Sequence, residues 1–286
     1  MPDARTLNAN YFESQWAAGS RLKQRFQFNL ELARKDVLYV LDKLSIGRAN
    51  KTILDVGFGN GMLAFLFDPS CTLCGSELSP TAIAKANELA RRKGYRKVDL
   101  KIPSESEPFP FEAGSFDVVI ASHVVEHVAD DIDFMRAMLR MTKPGGHLVI
   151  LVPLDFPFSG VVSEQQLINP EHLSSGHYHV RWYNFESFLH RLGALDGECV
   201  LSLADGLAWD WKSSFDERRR RMSAGRAGMV LDRVLAAALN IPLSLSPRWC
   251  LAALDRMLER RGWRPRQGVF VLKPRSASVF GTGVSR

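Results

Sequence analysis

The sequence predicts an α/β fold, a mainly parallel sheet with helices on both faces. Three observations predict it. Thr52–Val56, reading TILDV, is a short apolar, β-branched run of the kind buried on both faces of a parallel sheet. Further strand-like runs follow at 72–77, 98–102, 116–121 and 147–152, with helical signals between them. The first run also carries Asp55 next to its end and is followed by glycine at 57, 59 and 61. Glycine allows a sharp turn and a close approach of backbone to ligand, and open α/β sheets bind ligands at the C-terminal ends of their strands. Residues 62–67 are expected to start a helix whose free N–H groups face that loop.

Each element has its own signal. Residues 1–20 hold Tyr11, Phe12 and Trp16 without a clear period. Residues 21–44 read as a helix, with Leu30, Ala33, Val37, Leu41 and Leu44 on one face. The second strand, 72–77, ends at Glu77, 16 positions after Gly61, close to the usual spacing of an acid that takes ribose hydroxyls. Its two carboxylate oxygens could accept from both hydroxyls. Ser79 is an N-cap, Pro80 fits the first helical position, and Gly94 closes that helix. Strands three and four flank a loop at 103–114. A helix at 130–141 has acids in its first turn and is stopped by Lys143-Pro144-Gly145-Gly146 before strand five. Strands six and seven are expected at 199–203 and 268–273. About 60 residues, 204–267, intervene, with helices expected at 216–239 and 247–261.

Composition narrows the class. At 286 residues and 46% hydrophobic, the chain can bury one large core with an elaboration. No secretory leader precedes Tyr11, and no apolar run is long enough for a membrane span. The four cysteines fit a reducing, cytoplasmic setting, with Cys71-x-x-Cys74 read as buried thiols. The net charge of +6 is uneven: residues 207–286 carry 16 Lys/Arg against 6 Asp/Glu, a net +10, leaving −4 for the rest. The basic third points to a charged partner or surface there.

A dinucleotide loop needs G-x-G-x-x-G. Here the third glycine comes one position early, and Asp55 would repel a phosphate. D-x-G-x-G-x-G instead resembles motif I of class I S-adenosylmethionine (SAM) methyltransferases, whose cofactor carries a sulfonium and an amino group. GSELSPTAIAKA, 75–86, resembles their second motif, with Glu77 replacing the commoner Asp. SESEPFPFEAGSFDVVIASHVVEHV, 104–128, is similar to the stretch from the adenine loop to strand four, and Pro-Gly-Gly before strand five is a frequent family feature. The resemblance is firm over roughly 50–155 and is to the small-molecule, ubiquinone-biosynthesis-like branch. Residues 171–194 are similar, less specifically, to the segment after strand five.

The resemblance implies a seven-stranded Rossmann-like sheet with strands six and seven antiparallel, and SAM as cofactor. It implies cofactor contacts from Asp55, Gly57, Gly59, Gly61, Glu77 and Leu78. It adds Ser104 and Glu105 at the adenine edge, and Ser122 and His123 near the methionine part. The expected division is an N-terminal helical cap, 1–49, a cofactor-binding core, 50–206, a helical insertion, 207–266, beside the substrate pocket, and a last strand and tail, 267–286.

Methyl transfer is an in-line displacement, so the protein must align the acceptor and supply a base where the acceptor carries a proton. His127 is the first base candidate, with packing beside the cofactor as the plainer reading. His172 is the second, and Asp155 could orient a base. No metal is expected: His123-x-x-x-His127 lacks the H-E-x-x-H order, and His172, His177 and His179 read better as a substrate-lining loop. The acceptor is expected to be a small molecule, methylated at oxygen. The Arg218–Arg221 run, Trp249 and Trp263 leave peripheral membrane contact open. A nucleic-acid methyltransferase is disfavoured, since Ala121-Ser122-His123-Val124 stands where a D/N-P-P-Y/F motif would grip a flipped base. An NAD-dependent dehydrogenase is disfavoured by the early glycine, and a cofactor-free scaffold by the intact Asp55, glycines and Glu77.

Overall fold

The computed structural model describes residues 9–10, 13–14, 28–59, 61–104, 107–154, 160–169, 179–207, 241–260 and 265–275. Its strands are β1 (Thr52–Val56), β2 (Thr72–Ser76), β3 (Lys97–Lys101), β4 (Phe116–Ser122), β5 (Thr142–Pro153), β6 (Gly197–Asp205) and β7 (Gln267–Pro274). They form one sheet in the order β3-β2-β1-β4-β5-β7-β6. The first five run parallel, and β7 is antiparallel to both β5 and β6. Burial follows composition. TILDV and the apolar stretch of β7 are buried in the middle, whereas KVDLK of β3 keeps its lysines at an exposed edge.

Helices cover both faces. On one face α1 (Phe28–Lys43) and α2 (Pro80–Arg92) bring Ala33, Val37, Leu41, Ala86 and Ala90 against Ile53, Leu73, Val118 and Val149. On the other, α3 (Asp131–Met141) and α5 (Phe185–Leu192) pack Met135, Met138, Phe188 and Leu192 against Leu54, Val119, Ile150 and Phe270. Caps fix the starts. Ser79 accepts from the Ala82 N–H at 3.0 Å ahead of α2, and Asn184 from the Ser187 N–H at 2.8 Å ahead of α5. A one-turn α4 (Glu164–Leu167) precedes α5. Between β6 and β7, α6 (Arg248–Glu259) sets Leu251 and Leu258 against Leu32 of α1 and Leu207. Asp255 of the same helix is buried as well.

Several expected bounds are corrected. The helix expected at 62–67 is a single 3-10 turn, Ala64–Leu66. The chain must re-enter the sheet at Thr72, and Asp68-Pro69 leaves no length for more. Strand five starts five residues early, because Thr142 pairs with Phe116 across a bulge. Gly146 packs so close there that a Cβ would lie 2.9 Å from the Asp117 carbonyl oxygen. Strands six and seven run longer than expected at both ends. Cys71 and Cys74 are free and buried, and burial pushes the Cys74 thiol up to about 11. Residues 21–27, Tyr11, Phe12 and Trp16, and, within the insertion, 208–240 with Arg218–Arg221 lie outside the described residues.

Candidate active site

Register gathers the site. Val56 pairs with Ser76 on one side and Ala121 on the other, while Ser122 pairs with Leu151, and Pro153 and Asp205 both with Gln267. The C-terminal ends of β1, β2, β4 and β5 thus meet the start of β7 at one sheet edge. The order reverses between β1 and β4, the switch point where such sheets bind ligands.

At that point the loop takes the conformation glycine permits, with φ of 68°, 51° and 72° at Gly57, Gly59 and Gly61. A Cβ on Gly57 would lie 2.6 Å from Cγ2 of Val124. Phe58 folds back into the core, edge-on to Phe65, filling space left by Gly61 and by Gly75 of β2. Gly75 was missed in the sequence as a site residue; a glycine inside a strand is the signal that marks such close packing.

Asp55 is 3% exposed. Burial raises its carboxyl well above the usual range, the Ala64 N–H opposes this, and the charge of Glu77 adds to it. Glu77 is buried too, and its two oxygens accept from the Gly59 N–H at 2.8 Å and the Ser79 N–H at 2.9 Å. Burial raises it, while those N–H groups and that of Leu78 pull it down. Glu77 therefore ties the glycine loop to the start of α2, with lone pairs left over. Glu13 was not foreseen here. It accepts from the Ser79 hydroxyl at 2.5 Å and from the Thr81 hydroxyl, in a segment without sequence periodicity.

Ser104 is exposed, its hydroxyl accepting from the Glu107 N–H at 2.9 Å. Glu105, Asp155 and His172 fall outside the described residues. Past Ser122, His123 takes φ 55° and donates its backbone N–H to Leu151 O at 2.9 Å. The 3-10 turn Val125–His127 then sinks Glu126 to 0% exposure. Among the described residues, neither Glu126 oxygen makes a hydrogen bond within normal reach. Imidazoles surround it instead: His123 Nδ1 at 3.5 Å, His127 Nε2 at 3.9 Å, and His179, whose ring meets that of His127 edge-on at 4.9 Å. Burial works to raise Glu126, but His123, His127 and His179 together hold it below the usual carboxylate range. Donor atoms of Glu126, His127 and His179 lie within 4.8 Å of one another.

A second network holds His179 there. The Val180 N–H donates to Glu126 O at 2.7 Å, and Asn169 Nδ2 donates to His179 O at 2.8 Å. The Arg181 guanidinium caps Val128 O and Ala129 O at 3.1 and 2.6 Å and pairs with Glu164. Tyr183 and Arg191 both bind buried Asp131. This clamp presses the segment after β5 against the turn after β4.

A model of the methyltransferase domain family matches residues 54–150. Over 109 residues the chain is 33% identical to a ubiquinone biosynthesis O-methyltransferase of Pseudomonas paraeruginosa, a match covering 36% of this chain and 45% of the relative. Residues 54–150 are thus similar to the methyltransferase domain family. The chain thus spans less than half the length of that relative. Among solved structures it resembles the [4+2]-cyclase SpnF, with TM-score 0.55, 20% identity and coverage of 85% of this chain and 81% of that one. It also resembles a geranyl diphosphate C-methyltransferase from Streptomyces coelicolor, with TM-score 0.54, 15% identity and coverage of 84% and 79%. These two likenesses show the fold alone, and a cyclase among them shows that the fold does not dictate the reaction.

The edge fits a class I methyltransferase domain. The side-chain-free cradle at Gly57 and the bracketed Glu77 suit a cofactor with ribose hydroxyls and a cationic end, and buried Asp55 makes a pyrophosphate unfavourable. A cavity of about 230 Å³ lined by Lys51, Asp117, Lys143 and His147 opens at the other end of the sheet and plays no part in this site.

Proposed function

We propose that this chain is a SAM-dependent methyltransferase acting on a small-molecule acceptor, at oxygen. The carrying observation is that one sheet edge joins a carboxylate-bracketed glycine loop to a histidine seated on a buried carboxylate. SAM supplies the methyl group on its sulfonium. Gly57–Gly61 let the backbone lie close to it, Glu77 accepts from the ribose hydroxyls, and Asp55 faces the polar end. Ser104 and Glu105 at the adenine edge, Leu78 beside Glu77, and Ser122 and His123 toward the methionine part complete the set by family resemblance.

His127 takes the acceptor's proton. Glu126 stabilises the imidazolium that forms, as a buried carboxylate does beside a catalytic imidazole. His172 and Asp155 stand as the alternative base and orienting group. The O-methyltransferase relative supports oxygen as the acceptor atom, and phenols of quinone-like lipids, hydroxylated natural products and sugars are the classes to test. Among the described residues no helix is long and apolar enough to cross a membrane. Leu245 and Trp249, 71% and 73% exposed, with exposed Arg256 and Arg260, support peripheral contact with an anionic membrane surface. Failure to co-sediment with anionic vesicles would remove that part.

Calorimetry with S-adenosylhomocysteine and with NAD tests the cofactor. Binding of the first alone is expected, and binding of NAD alone would overturn the reading. A co-structure with S-adenosylhomocysteine should place the vacant methyl position within reach of His127.

A further inference from the structure

His123 ties the site to the rest of the chain. Its left-handed backbone is strained for a residue with a Cβ, so the surroundings must hold it. Its Nε2 lies 3.1 Å from Oε1 of Gln267, which is fully buried. The direction of that amide is fixed from behind: Gln267 Nε2 donates to Asp36 Oδ2 at 2.6 Å, so its oxygen faces the imidazole. An amide oxygen only accepts, and His123 Nε2 must carry a hydrogen. Its Nδ1 faces Glu126 Oε1, and a carboxylate also only accepts. A neutral ring, with one N–H and one lone pair, would set that lone pair against the carboxylate. The doubly protonated ring gives Gln267 its donor and sets a positive edge 3.5 Å from the Glu126 carboxylate, a charge contact longer than a formed hydrogen bond.

We infer that Gln267 is a positioning residue that, with Glu126, holds His123 as a doubly protonated imidazolium, anchored through Asp36 to Arg248 of α6. Arg248 Nε donates to Asp36 Oδ1 at 3.0 Å and its Nη2 to Asp205 Oδ2 at 2.7 Å, and its guanidinium lies 4.0 Å from the Tyr39 ring centre. Asp36 of α1 thus stands two hydrogen bonds from His123 through Gln267 of β7, and Arg248 of α6, which also holds Asp205 of β6, stands three away. Among the described residues, the groups facing His123 are Glu126, with His127 and His179 beyond it. From the other side comes Gln267, backed by Asp36, Asp205 and Arg248. His123 is then a fixed donor and no base, which leaves proton removal to His127; that last step alone rests on the proposed function.

The test is NMR of the imidazole nitrogens in the full chain, without cofactor or acceptor, near neutral pH, with His123 assigned through His123→Gln. Both nitrogens of His123 are expected to be protonated. Gln267→Leu should return the ring to its neutral form, and Gln267→Glu, which keeps an acceptor, should restore the imidazolium. A neutral His123 in the unaltered chain, or ring shifts unmoved by Gln267→Leu in a folded variant, would overturn the inference. If Gln267→Leu does not fold, the unaltered chain decides alone. Absent SAM binding would sink the proposed function without touching this result.

Discussion

Glu77 combines two duties in one carboxylate, bracketing the loop and accepting from the cofactor. Glu77→Ala is therefore expected to weaken SAM binding by about 1–3 kcal/mol, since hydroxyls and two backbone amides all lose their acceptor. Titration calorimetry reads this directly, and unchanged affinity would remove Glu77 from the site. Asp55 behaves differently. Its carboxyl is raised above its unfolded value by burial, so its stability contribution is full below the unfolded value and is lost as pH rises through the folded one. Asp55→Asn removes that loss, and the cofactor-free variant should melt higher than the parent at neutral pH while binding SAM less tightly. His127→Ala should cut turnover at least about 100-fold, the scale of general-base catalysis, with little change in SAM affinity. These residues were legible because Asp55, the glycines and Glu77 lie within one short stretch. Gln267 and Asp36 were not, being 231 positions apart in sequence, and no local pattern joins them. Glu126 gave one faint signal, a charge inside the apolar run Val124–Val128.

Among elements, the strands were the most legible, because buried β-branched runs leave few other placements. The turn after the glycine loop was not. Apolar residues at 62–67 read as a helix, but the short return to Thr72 overrode their propensity. With no helix terminus there, the loop must do the holding, and Gly57 should be intolerant. Gly57→Ala meets both Val124 and a positive φ, and is expected to cost about 1–3 kcal/mol. Adding Val124→Ala should recover only the steric part. Denaturant midpoints of the two variants separate the contributions, and full recovery would show that φ carries no strain.

Over the whole molecule, Arg248 couples α6 to α1 and β6. Arg248→Met leaves buried Asp36 beside Asp205 without its cation and is expected to cost about 2–4 kcal/mol. Asp36 is already held above its usual range by burial and by Asp205. Its stability is full below the unfolded value and lost as pH rises through the folded one. The variant's deficit should therefore be larger at neutral than at acid pH, and urea midpoints at the two conditions check the sign. An equal deficit at both would mean that Asp36 does not titrate differently. The insertion's length was plain in the sequence, but its attachment was not, because Asp36, Asp205 and Arg248 come from three distant stretches.

Strand β7 occupies an interior place in the sheet although it is the last of the described strands in the chain. During translation, β5 and β6 each present an open edge until residues 267–274 leave the ribosome. Chains stalled before Gln267 should stick to one another or to chaperones, and the wait lengthens with every residue spent building the insertion.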